Sequence, residues 1–423
     1  ISQALNGKVE FEHLDVSFFP KPRLIVHQGN FSVPGTAHGT LLSLTVSIKI
    51  LPLFIGKIQN AGIDIKSPDV KIILGGPPIK KEDDLKPVLF ENLEEKMGYT
   101  LRLLSEKAPG FVISIENGSL HFIEDKMPGY KFQDINARIA QTTRKISFDI
   151  QGKSTLWEAV SIKGAVNPEN FKSHGSIKLT QIYSQFLSQR LFSLLHHKVE
   201  ASPVNLNINF KTDGLKSIQG DLSCSALDLA IHPGEKECGL KIKRIKGDVD
   251  LNENKLTFIL DELKLDYPEL VVNGRLDFTP SSSSTPSKID LKISGINVDV
   301  PSTREVALEL IGKSPVVQNI FRIIKGGKVP AITYAAHGNS LADLGSLKNM
   351  TLDGGILNGK IFVPGVALDL EGVEGNVTIS KGVLLGQDLK AKLETSQCLD
   401  GSLKLGLKGE DPLFNLDITV DAD

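Results

Sequence analysis

Three residue types are scarce in this chain of 423 residues: it has three Cys, three Met and one Trp. Cys224, Cys238 and Cys398 form no CxxC pair or other zinc spacing, which argues against a metal knuckle or a disulfide-built fold. Cys224 and Cys238 are placed to pair across a hairpin in an oxidising compartment; two unpaired buried thiols are the plainer reading. Neither charge sign dominates. Lys and Arg number 48 against 50 Asp and Glu, a net charge of −2, so nothing attracts the chain to nucleic acid, and no nucleic-acid partner is expected. Long apolar runs are missing too. The most apolar stretch, "LLSLTVSIKILPLFIG" (41–56), alternates, carries Lys49 and is broken by Pro52, so it is no membrane helix. The chain starts at Ile1 with neither Met nor a signal-like segment, which predicts a processed or trimmed chain without its upstream anchor.

Catalytic motifs are equally lacking. "GGILNGKI" (354–361) approaches a phosphate-binding loop. Ile361 stands where Ser or Thr must reach magnesium, and "FVPGVALDL" after it reads as a strand, not a helix. No HExxH, GxSxG or GxGxxG occurs. His196 and His197 are adjacent on a predicted helix and point apart, so no metal is expected there. Asn117, Asn349 and Asn376 open glycosylation triplets of the kind that arise by chance. The sequence predicts no enzyme, no cofactor and no metal.

What the chain has in abundance is period-two alternation, the mark of strands with one apolar and one wet face. Leu44, Val46 and Ile48 alternate; so do Ile63 and Ile65, Val70 and Ile72, Ile113 and Ile115, and Leu206 and Ile208. Later come Leu227 and Leu229; Leu256, Phe258 and Leu260; Leu291 and Ile293; Val366, Leu368 and Leu370; and Phe414, Leu416 and Ile418. Connections such as "ENGS", "NPEN", "TDGL", "NEN" and "DGG" read as hairpin turns, so the expected fold is a long antiparallel meander. Four stretches share a strand, a Gly, Asn or Pro turn and a return strand: "IQNAGIDIKSPDVKIIL", "ISIENGSLHFI", "LDELKLDYPELVVNGRLDF" and "LEGVEGNVTISKGVLLGQDLKAKL". Three segments show helical spacing instead: 82–107, 180–198 (with Ile182, Phe186, Leu187, Phe192 and Leu195) and 303–325, the last split at Pro315. Each is expected to cap or pack on the sheet, the alternative being that one of them covers or gates a hydrophobic opening. The expected organisation is 1–81 as a first β-groove section and 82–107 as a helical insertion. A central β section at 108–302 with the helix near 180–198, a helical segment at 303–327 and C-terminal β repeats at 328–423 follow.

About twenty-five strands at roughly 4.8 Å spacing would make a sheet on the order of 120 Å long. Three helices are too few to cover one face of it. The sheet therefore either closes on itself as a sandwich or barrel, or folds lengthwise into an open groove filled by something else. The strand faces are Val, Ile and Leu with aromatics at only 6%, smooth aliphatic walls suited to acyl chains. The alternating residues just named, from Leu44 to Ile418, are the candidate groove lining.

The opening "LNGKVEFEHLDVSFFPKPRLIVHQGNFSVPG", with Gly7, Pro20, Pro22 and Leu24, resembles the amino-terminal signature of AsmA-like proteins. "LTVSIKILPLFIGKIQNAGIDIKSPDVKI" resembles the next block, with Leu51, Pro52, Leu53, Gly56, Ile58 and Pro68 in place. "VISIENGSLHFIED" is similar to the inner repeat with its Asn-Gly turn, and "LDGGILNGKIFVPGVALDLEGVEGNVTISKGVLLGQDLKAKL" is similar to the C-terminal part. The resemblance implies a mainly β fold: a long, strongly curved antiparallel sheet forming an elongated open, taco-like hydrophobic groove with about three amphipathic helices, akin to bridge-like lipid-transfer proteins. It implies phospholipids as partners through their acyl chains. It also implies a periplasmic location, inner-membrane attachment through an amino-terminal helix, and transfer toward the outer membrane. Envelope proteins are expected partners at the sheet ends. The chain departs from the family in lacking the anchor, in spanning only part of the distance a large member would, and in the 82–107 helix, which has no counterpart. The rival expectation is a structural or assembly scaffold of the cell envelope with a closed, dry β core that binds proteins at its sheet edges.

Overall fold

The computed structural model describes residues 8–73, 110–183 and 198–421, apart from positions 20, 34–36, 51–53, 55–59, 125–126, 143, 202, 215–216, 233–239, 253–254, 282–285, 313, 365–366, 394–395 and 408–412. The described chain is mainly β, and its twenty-four strands belong to one sheet. In chain order they begin β1 (Lys8–Glu10), β2 (His13–Ser17), β3 (Arg23–Val33), β4 (Ala37–Ile48), β5 (Asn60–Lys66), β6 (Asp69–Ile73), β7 (Val112–Glu124) and β8 (Met127–Gln141). Next are β9 (Ile146–Ser154), β10 (Trp157–Val166), β11 (Ser173–Ile182), β12 (Lys198–Ala201), β13 (Val204–Thr212), β14 (Ile218–His232), β15 (Leu240–Asn252) and β16 (Lys255–Tyr267). The last eight are β17 (Glu269–Thr279), β18 (Lys288–Asp299), β19 (Ile324–Gly338), β20 (Met350–Val363), β21 (Leu368–Ser380), β22 (Val383–Leu393), β23 (Ser396–Gly406) and β24 (Phe414–Asp421). Three helices are described: α1 (Val300–Ile311), α2 (Pro315–Ile323) and α3 (Leu341–Leu344). None is long and apolar enough to cross a membrane.

The chain forms two compact units, Ile1–Tyr183 with Asn205–Gly220, and Ser184–Val204 with Asp221–Asp423. In the first unit β1 and β2 both pair with β3, β3 with β4, and β7 through β11 follow one another antiparallel. One part departs from the expected meander: β5 and β6 both run parallel to β7. Parallel neighbours require a long crossover, and the stretch between Ile73 and Val112 has the length for one. β5 and β6 also both pair with β4, so Ser67 and Pro68 interrupt a single line of strand and do not turn it back. "ENGS" is likewise no hairpin. It lies inside β7, where Asn117 takes a left-handed φ of 52°. Asn tolerates that conformation, and within a strand it produces a bulge rather than a reversal. Asp353 to Gly355 ("DGG") lie inside β20 in the same way, whereas "NPEN" does connect β10 to β11.

In the second unit β15 through β24 pair in sequence, each antiparallel to the next. The helical segment after β18 is split at Pro315, as its spacing predicts. Asp299 caps α1, its Oδ2 accepting from Ser302 N at 3.1 Å and Ser302 Oγ at 2.7 Å, and Pro315 opens α2, where a missing N–H costs nothing. The expected 180–198 helix is overridden at its start, because Ile182 ends β11 as a buried strand residue. Residues 184–197, like the predicted helix at 82–107, lie outside the described residues.

The packed core belongs to the second unit. Residues of β18 to β23 with Ile323 of α2 and Leu344 of α3 form one cluster, and Val363, Val373 and Ile379 are 0% exposed. Two helix contacts close it. Asn319 Nδ2 on α2 donates to Leu407 O at 3.1 Å, and Tyr334 Oη on β19 donates to Leu344 O on α3. Arg304 Nε donates to Phe321 O at 3.2 Å and ties α1 to α2.

Candidate functional site

Cross-strand partners share a face of the sheet. Tracing the register across the first unit gives an unbroken apolar row: Leu14, Val26, Leu44, Ile65, Ile115, Ala137, Ile150, Ile162 and Ile177. The adjacent row reads Val16, Leu24, Val46, Ile63, Ile113, Ile139, Phe148, Gly164 and Gly175. Between them, on the opposite face, runs a row that is polar except at Ile25: Asp15, Ile25, Thr45, Asp64, Ser114, Arg138, Asp149, Lys163 and Ser176. Its charges pair where they meet, as with Lys163 Nζ at 3.0 Å from an Asp149 carboxylate oxygen.

No residue of the two apolar rows is buried. All are half-buried except Leu14 and Val16, which are 45% and 58% exposed. Neighbours within a sheet cover the flanks of a side chain and leave its tip to whatever lies above. None of the three described helices belongs to this unit. Phenylalanines level the face where glycine leaves a gap. A Cβ on Gly164 would stand 2.6 Å from the Phe148 ring, and the rings of Phe31 and Phe210 crowd Gly39 and Gly175 in the same way.

A line of left-handed residues crosses these strands: Gln28, Ser67, Asn117 and Asp134, with φ of 48°, 47°, 52° and 52°. The register from β7 to β9 shifts at the same level. Asn136 fills the interrupted ladder, accepting from Asn117 N at 3.2 Å and donating to Asp134 O at 2.9 Å. Beyond the line the apolar set moves from Ile113 and Ile115 to Leu120 and Phe122, an odd step that the extra residue takes up. A second apolar row follows there: Gly39, Val70, Leu120 and Phe132, with Ala37, Ile72, Phe122 and Tyr130 next to it. The second unit repeats the device at Asn297, Gly327, Asn358, Gly375 and Asp388, all with positive φ.

The second unit carries the same kind of row into its closed core. Val249, Phe258, Leu276 and Leu291, all half-buried, lead to buried Ala336 and Met350. Leu260 and Ile293 belong to the neighbouring row, which runs on through Ile379, Leu384 and Leu405 to Phe414. On the polar face Asp277 is held by Arg275 Nε at 2.7 Å, Thr257 Oγ1 at 2.7 Å and Lys255 Nζ at 2.9 Å. The Arg275 contact above all holds its carboxyl well below the usual carboxylate range.

The predicted lining residues thus fall into distinct settings. Leu44, Val46, Ile63, Ile65, Ile113 and Ile115 meet in the half-buried rows, and Val70 and Ile72 line the row beyond the bulges. Ile48 ends β4, and Leu206 and Ile208 are half-buried in β13. Leu256, Phe258 and Leu260 share one half-buried face of β16. Leu370 is part of the closed core, and Leu291, Leu368, Phe414, Leu416 and Ile418 pack against it. Leu227 and Leu229 lie in β14 with side chains outside the description, as does Val366 altogether. Ile139, Phe148, Ile150, Ile162 and Ile177 belong to the same half-buried rows without being among the predicted lining; the alternation in "ISFDIQG" and "AVSIKGAV" carries the signal for Phe148, Ile150 and Ile162. Cys224 and Cys398 are free thiols, each shifted upward by burial, while Cys238 lies outside the described residues.

The polar face of β2 and β3 holds a group that composition did not reveal. His13 and His27 are register partners with rings stacked at 4.3 Å and an interplanar angle of 11°. Asp15 Oδ2 stands 3.2 Å from His27 Nε2 and 3.9 Å from His13 Nε2. The three side chains bring ligand atoms within 4.8 Å of one another, close enough for one metal ion to join them. The signal lay in His13-x-Asp15 on one strand face with a histidine directly opposite.

No protein-family model matches the chain. No curated protein is similar to it.

Proposed function

We propose that this protein is a non-enzymatic carrier of phospholipid, whose half-buried apolar rows hold acyl chains while head groups stay in water. The observation that carries the reading is the pair of in-register aliphatic rows in the first unit, nine strands wide and only half-buried. An apolar face of that extent is rare on a soluble protein unless something binds it. Each buried CH₂ contributes about 0.8 kcal/mol, so two acyl chains would be held firmly. The wall is Val, Ile, Leu, Ala and Phe without a fixed polar anchor, so no position outbids the next, and a chain can slide. The aligned bulges support a lengthwise fold, since each bends its strand at the same level. With the AsmA-like resemblance, we propose a periplasmic carrier anchored in the inner membrane that passes phospholipid toward the outer membrane, with envelope proteins at the sheet ends.

A second reading, an envelope scaffold with a dry β core, draws support from the second unit, where α2 and α3 pack over the cluster around Val363, Val373 and Ile379. Mass spectrometry of organic extracts from gently purified protein separates the two. Co-purifying phospholipid in stoichiometric amount supports the carrier. Lipid-free protein that also takes up no fluorescent phospholipid from vesicles favours the scaffold.

A further inference from the structure

We propose that His13, Asp15 and His27 form a binding site for a divalent transition-metal ion of the zinc class, on the polar face of β2 and β3. The placement follows from strand geometry. His13 and Asp15 are two residues apart and project to one side, and His27 is the register partner of His13 on the adjoining strand. All three side chains therefore rise from the face opposite Leu14 and Val16. The site is independent of the lipid reading.

The donor separations fit a metal. Zinc–nitrogen and zinc–oxygen bonds of about 2.0–2.1 Å in a tetrahedron put neighbouring donors about 3.3 Å apart. Asp15 Oδ2 lies 3.2 Å from His27 Nε2 and 3.9 Å from His13 Nε2, values on either side of that spacing. A plain ion pair explains the arrangement less well. One carboxylate neutralises one imidazolium, and two charged rings stacked at 4.3 Å repel. Only His27 reaches the carboxylate at hydrogen-bond distance, 3.2 Å, while His13 stands 3.9 Å away with its side chain half exposed, so the ion pair alone leaves the place of His13 unexplained. A turn of the two rings out of their near-parallel stack would aim both imidazole nitrogens and the carboxylate at one cation, with water at the open fourth position. Two imidazoles and one carboxylate suit zinc, cobalt, nickel or iron(II) and not magnesium or calcium, which take oxygen ligands. Among the described residues β2 pairs only with β3. A metal joining His13 to His27 would staple this short outer strand to the sheet.

The test uses the untagged full chain, stripped with chelator, and titrates Zn²⁺ by calorimetry and Co²⁺ by visible absorption. One equivalent bound, with tetrahedral Co²⁺ bands and a raised melting temperature, is expected. His13→Ala, His27→Ala and Asp15→Asn should each lower affinity at least about tenfold, in line with loss of a ligand. His121→Ala, which removes a different histidine–aspartate pair at 3.2 Å from Asp69, should change nothing. In the unmodified protein Zn²⁺ should shift the ring resonances of His13 and His27 and of no other histidine, a readout that needs no variant to fold. Absence of binding, or shifts confined to other histidines, overturns the proposal; so does affinity equal in His13→Ala, His27→Ala and wild type.

Discussion

The same substitution at two isoleucines separates an open apolar face from a closed one. Ile150 lies in the middle of the first unit's row, with Ala137 and Ile162 as register partners, and is half-buried. Ile379 lies in the second unit's core, with Leu352 and Leu384 as partners, and is 0% exposed. Full burial of an isoleucine contributes roughly 1.5–3 kcal/mol, so half-burial forfeits about 1 kcal/mol when Ile150 becomes Glu. The new carboxylate meets water and carries little further cost. At Ile379 the lost packing costs about 2–5 kcal/mol, and the unpaired buried carboxylate adds several more. That sum matches the whole stability of a typical domain, about 5–15 kcal/mol. Urea unfolding followed by circular dichroism reports both units, and the fluorescence of Trp157, the single tryptophan, reports the first. Ile150→Glu should fold, shift its fluorescence midpoint slightly and lose bound phospholipid. Ile379→Glu should lose the ordered second unit. An Ile150→Glu protein as unstable as Ile379→Glu would show that the row is covered and dry, and the carrier reading would fail with it. A stable Ile150→Glu protein with full lipid occupancy would remove this row from the lipid path.

Other outcomes follow from particular contacts. Phe258→Glu, at a half-buried position between Val249 and Leu276, should leave a folded protein with reduced phospholipid transfer between vesicles; normal transfer would take β16 out of the path. The Asp277 carboxyl is depressed in the folded state by Arg275, with Thr257 and Lys255 adding to it, while an unfolded aspartate titrates near about pH 4. Its stabilisation, about 1 kcal/mol after solvent screening, is therefore fully present above about pH 4 and lost as pH falls below it. Melting curves of Asp277→Asn should converge with wild type on acidification, and curves that stay parallel would contradict the sign. Asp299→Ala removes the α1 cap and should cost about 1 kcal/mol in urea unfolding, with Asp299→Asn largely restoring it. Gly164→Val presses on the Phe148 ring and on His174 O, each 2.6 Å from the added Cβ, and should cost about 1–3 kcal/mol; Phe148→Ala in the same chain should recover only the ring's share.

Alternation by itself was enough to announce a mainly β chain, and the break at Pro315 was enough to divide α1 from α2. Both are local matters: side-chain period in one case, a missing N–H in the other. Candidate residues from Leu44 to Ile115 could be read as apolar positions because each alternates with polar neighbours. Which strand each meets depends on register, and register is a pairing between distant segments. Only the fold therefore joined Ile65 to Ile115 in a parallel pair, set His27 opposite His13, and drew Leu370 into a closed core while Ile63 stayed half-covered. The Asn-Gly in β7 misled for a related reason. Asn takes a left-handed φ as readily in a hairpin turn as in a bulge, and the dipeptide does not say whether the next residues turn back or run on. Neighbouring strands decide it, by offering the chain beyond Asn117 a partner on β8 and a continuing line on β6. The sequence by itself determined which residues are apolar and at what period. The tertiary structure decided whether protein covers them, because burial depends on what packs above a strand, and in this chain the helices that do so lie only over the second unit among the described residues.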